Sequence, residues 1–192
     1  MRLFVAVDPS AVAVDHLGTR LARMRVAAAT AAGLDVRLAD PADLHVTVAF
    51  LGTVGADRLV ELESALGLAA SWFRAARQGV PRLRLGGGGR FGRDRSTVLW
   101  VDLRGDVEAL HLLAGQVRTR LRHAGLAYDE KPFRPHLTIA RPGDRMTPAD
   151  IEADRAFLDG YEGPEWSASE LLLMRSRPGS RPRYERIAAW AL

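Results

Sequence analysis

The sequence contains no cysteine, and this absence removes several kinds of chemistry at once. Without cysteine there is no disulfide framework, no thiol nucleophile and no zinc site built from thiolates. The H-E-x-x-H pattern of many metalloenzymes is also missing, and the five histidines form no comparable metal-binding set. We therefore expect no metal site of these kinds.

Long apolar runs are lacking as well. The first ten residues, MRLFVAVDPS, have the pattern of a strand and a turn rather than the apolar core of a signal peptide. No stretch reaches the length that a transmembrane helix needs. We expect a cytoplasmic monomer that does not bind membranes.

Lysine is nearly absent. Of 27 basic residues, Lys131 alone is a lysine and the others are arginines. The formal net charge of +4 permits binding of nucleic acid or nucleotides without demonstrating it. Because a coding bias toward arginine and alanine explains the same composition, the charge by itself assigns no function.

The remaining composition, with 47% apolar and 26% charged residues, is that of a soluble globular protein. Strand patterns alternate with amphipathic helices, for example a strand at 2–7, a helix from about 10 to 31 and a helix at 57–71. No low-complexity linker divides the chain. We therefore predict an α+β fold and one bilobal domain over residues 1–192. Its two pseudo-symmetric lobes each have a mostly antiparallel sheet with outer helices, and the active-site groove lies between them.

One three-residue motif occurs twice. His45-Val46-Thr47 lies in LHVTVAFLG (44–52), and His136-Leu137-Thr138 lies in PHLTIARP (135–142), 91 positions later. Both segments have the composition of strands, in which successive side chains alternate between two faces. Each histidine therefore shares a face with its threonine, while the residue between them faces a core. Two such strands side by side place two imidazoles and two hydroxyls in one small volume.

These groups suit the cleavage of a phosphodiester. Histidine titrates near neutral pH, so one imidazole can take a proton from water while the other gives a proton to the leaving oxygen. The hydroxyls of Thr47 and Thr138 can donate to non-bridging phosphate oxygens, where negative charge grows. Arg141, just past the second strand, adds a guanidinium that pairs with phosphate, and Lys131 and Arg134 add positive potential. The mechanism needs no metal ion.

The two motifs and their surroundings resemble the 2H phosphoesterase superfamily. Within it, the sequence looks most similar to the RNA 2′,3′-cyclic phosphodiesterases, also called 2′-5′ RNA ligases. The resemblance rests on LHVTVAFLG, KPFRPHLTIAR, the initial MRLFVAVDP and the terminal YERIAAWAL, and it covers essentially the whole chain. Val48 and Ile139 stand where leucine is common in the family, and we expect no functional consequence because both are apolar.

The resemblance implies hydrolysis of RNA 2′,3′-cyclic phosphate ends, or of nucleoside 2′,3′-cyclic phosphates, to 2′-phosphomonoesters without metal or nucleotide cofactor. It also implies 2′-5′ joining of RNA ends by the reverse chemistry. By motif position, His45 is the proton donor and His136 the proton acceptor, and Thr47, Thr138 and Arg141 hold the phosphate. Two alternatives stay open: a 2H enzyme for another small cyclic phosphate, and a nucleotide- or RNA-binding module that keeps the fold.

A run of glycines offers a competing motif. The segment Gly87-Gly88-Gly89-Arg90-Phe91-Gly92 matches G-x-G-x-x-G, but a dinucleotide-binding fold requires a helix after it. The segment that follows, STVLWVDL, has a strand pattern instead. We expect a hairpin or an irregular loop here, with Phe91 packing against the protein rather than stacking on a base.

Overall fold

The computed structural model describes residues 1–177, 179–180 and 183–192 of the chain. The strands in these residues are β1 (Arg2–Val7), β2 (Arg37–Leu38), β3 (Val46–Thr53), β4 (Arg82–Phe91), β5 (Val98–Gly105), β6 (Leu137–Arg141), β7 (Trp166–Ser167), β8 (Glu170–Ser176) and β9 (Tyr184–Ala191). The α-helices are α1 (Ala11–Leu21), α2 (Arg25–Ala31), α3 (Leu59–Ala76), α4 (Val107–His123) and α5 (Pro148–Asp159).

The helix predicted from about residue 10 to 31 is two helices, α1 and α2, with a break at residues 22–24. Ser10 caps α1 locally by accepting a hydrogen bond from the backbone N–H of Ala13. The N-terminus of α2 is capped from a distant helix, because the buried carboxylate of Asp154 in α5 accepts hydrogen bonds from the N–H groups of Arg25 and Val26. This tertiary cap satisfies donors that a new helix start leaves without partners, and it accounts for the break.

The strands form one antiparallel sheet in the order β7-β4-β5-β6-β3-β1-β8-β9, with β2 paired to β6. The centre of this order, between β6 and β3, divides the sheet into two lobes. The first lobe contains β3, β1, β8 and β9, and the second contains β6, β5, β4 and β7 together with β2. The predicted α+β fold with two similar lobes is confirmed.

Helices cover one face of both lobes. Helices α3 and α4 pack against each other and against strands of the first lobe, whereas α1 and α5 pack on β4 of the second lobe. One hydrophobic cluster contains buried residues from both lobes, among them Leu3, Leu66, Leu99, Leu113 and Leu158. Among the helices described, none combines the length and the apolar character that crossing a membrane requires.

The two lobes meet where the motif strands β3 and β6 lie side by side. Their antiparallel pairing consists of one residue pair, Val46 opposite Leu137, and both side chains are fully buried. Each of them is the middle residue of a His-x-Thr motif. The duplicated motif therefore forms the seam between the lobes.

The glycine run lies within strand β4, which forms an antiparallel pair with β5. The prediction of a hairpin with a strand after the run is correct, and the prediction of an irregular loop is wrong. A β-carbon at Gly88 would lie 2.7 Å from the backbone oxygen of Arg155 in α5, and one at Gly89 would overlap the indole ring of Trp100. Glycine is thus required on both faces of β4, against a helix on one side and an aromatic ring on the other.

Candidate active site

The four motif side chains lie on the sheet face opposite the helices. Since Val46 and Leu137 point into the core, the residues on either side of each point to the other face. The antiparallel pairing sets His45 alongside Thr138 and Thr47 alongside His136. The two histidines are then diagonal neighbours, a relation in which residues lie roughly 7–8 Å apart. A separation of this order between the two positions is compatible with a phosphate group held between the side chains.

A β-bulge follows each motif at the same place. The register of β3 with β1 leaves Val48, directly after the first motif, without a partner. The register of β6 with β5 does the same for Ile139, directly after the second motif. An extra residue of this kind changes the face on which the later side chains of the strand project. The two halves of the protein therefore repeat both the motif and the distortion that follows it.

The second bulge brings Arg141 to the motif face. Simple alternation from His136 would place Arg141, five residues later, on the core face with Leu137. Because of the bulge, Ala140 is buried opposite Leu99, and the next side chain projects to the other side. Arg141 is exposed there, and its guanidinium is close enough to His136 to act on that ring electrostatically.

Aromatic rings enclose His45. Its imidazole packs against Phe4 of β1 and Tyr184 of β9, with ring centroids 4.7 and 4.9 Å away, and these two rings also contact each other at 5.0 Å. Phe50 holds the position in the first half that Arg141 holds in the second, and it packs against Phe4 at a centroid distance of 6.2 Å. Because 53% of Phe50 remains exposed, the groove has an apolar, accessible wall on this side.

Aromatic rings also contact His136, and the guanidinium of Arg134 lies over them. The centroids of Phe91 and Trp100 lie 4.9 and 5.9 Å from that of the imidazole. The guanidinium carbon of Arg134 lies 4.5 Å from the centroid of the Trp100 ring and 5.3 Å from that of Phe91, within the range of cation–π attraction. This half of the groove is therefore aromatic and positively charged.

The same backbone contact orients both imidazoles. Nδ1 of His45 lies 2.8 Å from the carbonyl oxygen of Asp43, and Nδ1 of His136 lies 2.7 Å from that of Arg134. A carbonyl oxygen only accepts hydrogen bonds, so each Nδ1 carries the proton and donates it. The neutral ring then has its free lone pair on Nε2, which is the atom available to substrate.

The environment lowers the pKa of both histidines. Burial lowers the pKa of His45 below its usual value, against the opposing effects of the carbonyl and carboxylate of Asp43. Burial also lowers the pKa of His136, against the opposing effect of the Arg134 carbonyl. The positive charges of Arg134 and Arg141 lower this pKa further, and Asp102 raises it. The charged side chains that act on the two rings differ: the Asp43 carboxylate favours the protonated form of His45, whereas His136 is exposed to Arg134 and Arg141, which favour its neutral form, as well as to Asp102.

The structure brings the five residues predicted to be catalytic or phosphate-binding to one face: His45, Thr47, His136, Thr138 and Arg141. Lys131, by contrast, pairs with Asp129, 3.3 Å away. The sequence did not predict the aromatic rings around the two histidines. Phe91 was predicted to pack against the protein, and it packs against His136 itself. In the part of the chain that the structure describes, no group of three or more His, Cys, Asp or Glu side chains is arranged to hold a metal ion.

The contact between Gly89 and Trp100 predicts that adding one methyl group at position 89 lowers the stability of the protein. The change Gly89→Ala forces the indole away from its position beside His136, and overpacking of this kind destabilises a protein by about 1–3 kcal/mol. The control is Gly115→Ala in α4, where an added β-carbon meets nothing and helix propensity favours alanine. Urea unfolding measures both variants, and equal free energies of unfolding for Gly89→Ala and the wild type would contradict the close packing.

A two-lobed sheet with paired His-x-Thr strands at its seam defines the 2H phosphoesterase class. The chain belongs to the 2′-5′ RNA ligase superfamily, whose family model matches residues 13–179.

The chain is similar in sequence to named relatives and in structure to a solved protein. It is 32% identical over 151 residues to the RNA 2′,3′-cyclic phosphodiesterase of Geobacillus stearothermophilus, covering 78% of this chain but 46% of that longer protein. The protein of the same name from Aeropyrum pernix is 31% identical over 176 residues, or 88% of this chain and 96% of the relative. The crystal structure of Escherichia coli LigT with 3′-AMP superposes with a TM-score of 0.70 at 25% identity, covering 100% of this chain and 97% of LigT.

Proposed function

We propose that the protein is an RNA 2′,3′-cyclic phosphodiesterase that hydrolyses terminal 2′,3′-cyclic phosphates to 2′-phosphomonoesters without a metal ion. The observation that carries the proposal is the pair of imidazoles, one from each lobe, that are both anchored through Nδ1 and so leave Nε2 free for a substrate. The names of the curated relatives support the reaction, and the nucleotide complex of E. coli LigT supports the class of substrate. RNA ends and nucleoside 2′,3′-cyclic phosphates are the proposed substrates.

In the proposed mechanism, the cyclic phosphate lies between the two rings. Neutral His136 takes a proton from a water molecule through Nε2 as the water oxygen forms a bond to phosphorus. The bond from phosphorus to O3′ breaks, and protonated His45 gives its proton to O3′. The product has a 2′-phosphate and a 3′-hydroxyl, and the two rings then exchange protons with solvent. A 5′-hydroxyl of RNA in place of water would join two ends through a 2′-5′ bond.

The hydroxyls and the guanidinium stabilise the charge that this step creates. The pairing of Val46 with Leu137 makes each threonine the cross-strand neighbour of the opposite histidine, which supports a role for both hydroxyls as donors to the phosphate. Arg141 faces the same groove and offers the planar fork that suits phosphate oxygens. Donors that are already in position when charge develops contribute strongly to such reactions.

The charges beside each ring support the assignment of roles. A general acid must hold its proton before the reaction, and the Asp43 carboxylate raises the pKa of His45 against the larger effect of burial. A general base must be neutral, and Arg134 and Arg141 add to the effect of burial in lowering the pKa of His136. We therefore propose His45 as the donor and His136 as the acceptor.

The test is incubation with a nucleoside 2′,3′-cyclic phosphate in the presence of EDTA, with the 2′- and 3′-monophosphates separated. We expect the 2′-monophosphate alone and a rate that EDTA does not change. A preparation of the double variant His45→Ala, His136→Ala controls for a contaminating nuclease. Inhibition by EDTA or release of the 3′-monophosphate would contradict the mechanism, and binding without turnover would favour a nucleotide-binding module.

A further inference from the structure

We propose that Arg134 binds the phosphodiester one nucleotide upstream of the cyclic phosphate, so that the protein prefers an oligonucleotide end to a mononucleotide. The proposal rests on the function proposed above and adds a second phosphate position to it. It starts from the guanidinium that lies over Trp100 and Phe91 beside His136.

The side chain of Arg134 is held in place yet remains available. Aromatic rings support one face of its guanidinium, and its backbone carbonyl accepts the hydrogen bond from Nδ1 of His136. Pro135, which follows it, restricts the local backbone to an extended form. Within the described residues, no carboxylate lies at ion-pairing distance from this guanidinium, in contrast to those of Arg25, Arg82 and Arg95. A preorganised arginine without an acidic partner is suited to bind an external anion.

The charge balance of the substrate explains why a second arginine is present. A nucleoside 2′,3′-cyclic phosphate carries one negative charge, and Arg141 with the two threonines is assigned to it. Arg134 precedes His136 in the chain and Arg141 follows it, so the two arginines start from backbone positions on opposite sides of the histidine. An RNA end has a further phosphodiester next to the terminal nucleotide, and only such a substrate offers an anion to each arginine.

The experiment compares kcat/KM for a nucleoside 2′,3′-cyclic phosphate with kcat/KM for a trinucleotide that ends in the same cyclic phosphate. We expect Arg134→Gln to lower the ratio of trinucleotide to mononucleotide by about 10-fold, the effect of one charge-assisted contact. In the same variant, the negative slope of log(kcat/KM) against log(salt) for the trinucleotide should become shallower by about 1. Because loss of this charge acts on His136 equally with both substrates, the ratio is free of that effect.

The control variant is Arg23→Gln, which also removes an exposed arginine beside an aromatic ring, that of Phe157, but in the helical layer. Its ratio should equal that of the wild type. Arg134→Lys keeps the charge without the planar fork, and we expect it to restore the ratio in part. If Arg134→Gln does not fold, the wild type alone still tests the contact, by the comparison of a charged with a neutral upstream linkage described next.

A neutral linkage identifies what Arg134 contacts. A trinucleotide with a methylphosphonate in place of the upstream phosphodiester should be a poorer substrate for the wild type by about 10-fold and no poorer for Arg134→Gln. Equal wild-type rates on the two trinucleotides, or an unchanged ratio in Arg134→Gln, would overturn the proposal. If the wild type turns over neither substrate, the proposed function fails. Anisotropy of a fluorescent trinucleotide then tests the contact alone, and equal affinity of Arg134→Gln and the wild type would overturn it.

Discussion

His45→Ala and His136→Ala are each expected to lower kcat on a nucleoside 2′,3′-cyclic phosphate by about 10²- to 10⁴-fold, the usual contribution of a positioned acid or base. Each change removes one of the two Nε2 atoms in the groove and leaves the other ring anchored through its own Nδ1. Because the two rings act in one proton-transfer step, the double variant should be little worse than either single variant.

The matched control is His123→Ala, which removes an exposed histidine at the end of α4. This variant should keep wild-type activity, and circular dichroism should show that all four proteins are folded. If either single variant at the seam retains most of its activity, a mechanism that needs both histidines is wrong.

The pH profile separates the two roles. Both pKa values are lowered by burial, so the bell-shaped profile of kcat/KM should have its maximum below about pH 6.5, the usual pKa of histidine. Activity falls on the acid side as the base becomes protonated and on the alkaline side as the acid loses its proton. If His45 is the acid, Asp43→Asn lowers the pKa of His45 and moves the alkaline limb to lower pH. An alkaline limb that does not move would contradict this assignment.

The sequence alone predicted which face of the sheet the motif side chains share, because the alternation of side chains along a strand is a local property. A histidine and a threonine two residues apart share a face whichever strands lie next to them. The side of the sheet on which Arg141 lies could not be predicted in this way. Its side chain reaches the groove through the bulge at Ile139, which exists only in the register of β6 against β5. The sequence of one strand alone does not determine its register with a neighbouring strand.

The surroundings of the two imidazoles could not be predicted for the same reason. Phe4 and Tyr184 lie at opposite ends of the chain, and both contact His45 because β1 and β9 belong to the same lobe. The break between α1 and α2 depends likewise on Asp154, a carboxylate more than one hundred residues away. In each case the local sequence permits two structures, and a distant contact selects one.

The second large effect is expected at Arg141, where Arg141→Gln should lower kcat/KM by about 10²- to 10³-fold, as loss of one preorganised donor does elsewhere. Arg141→Lys should recover only part of this loss, since an ammonium group lacks the planar fork that matches two phosphate oxygens. The same charge contributes to the lowered pKa of His136, after burial and Arg134. Its removal should therefore raise that pKa and move the acid limb of the profile to higher pH.

Arg37→Gln distinguishes a contact at the phosphate from a general effect of charge. Arg37 lies directly opposite Arg141 in the pairing of β2 with β6 and is also exposed, so the variant removes the same charge one strand away. We expect it to change kcat/KM by less than about 3-fold, in the range of a screened surface charge. If Arg37→Gln costs as much as Arg141→Gln, the bulge at Ile139 does not serve to direct a guanidinium at the substrate, and the arginines attract RNA only through their summed field.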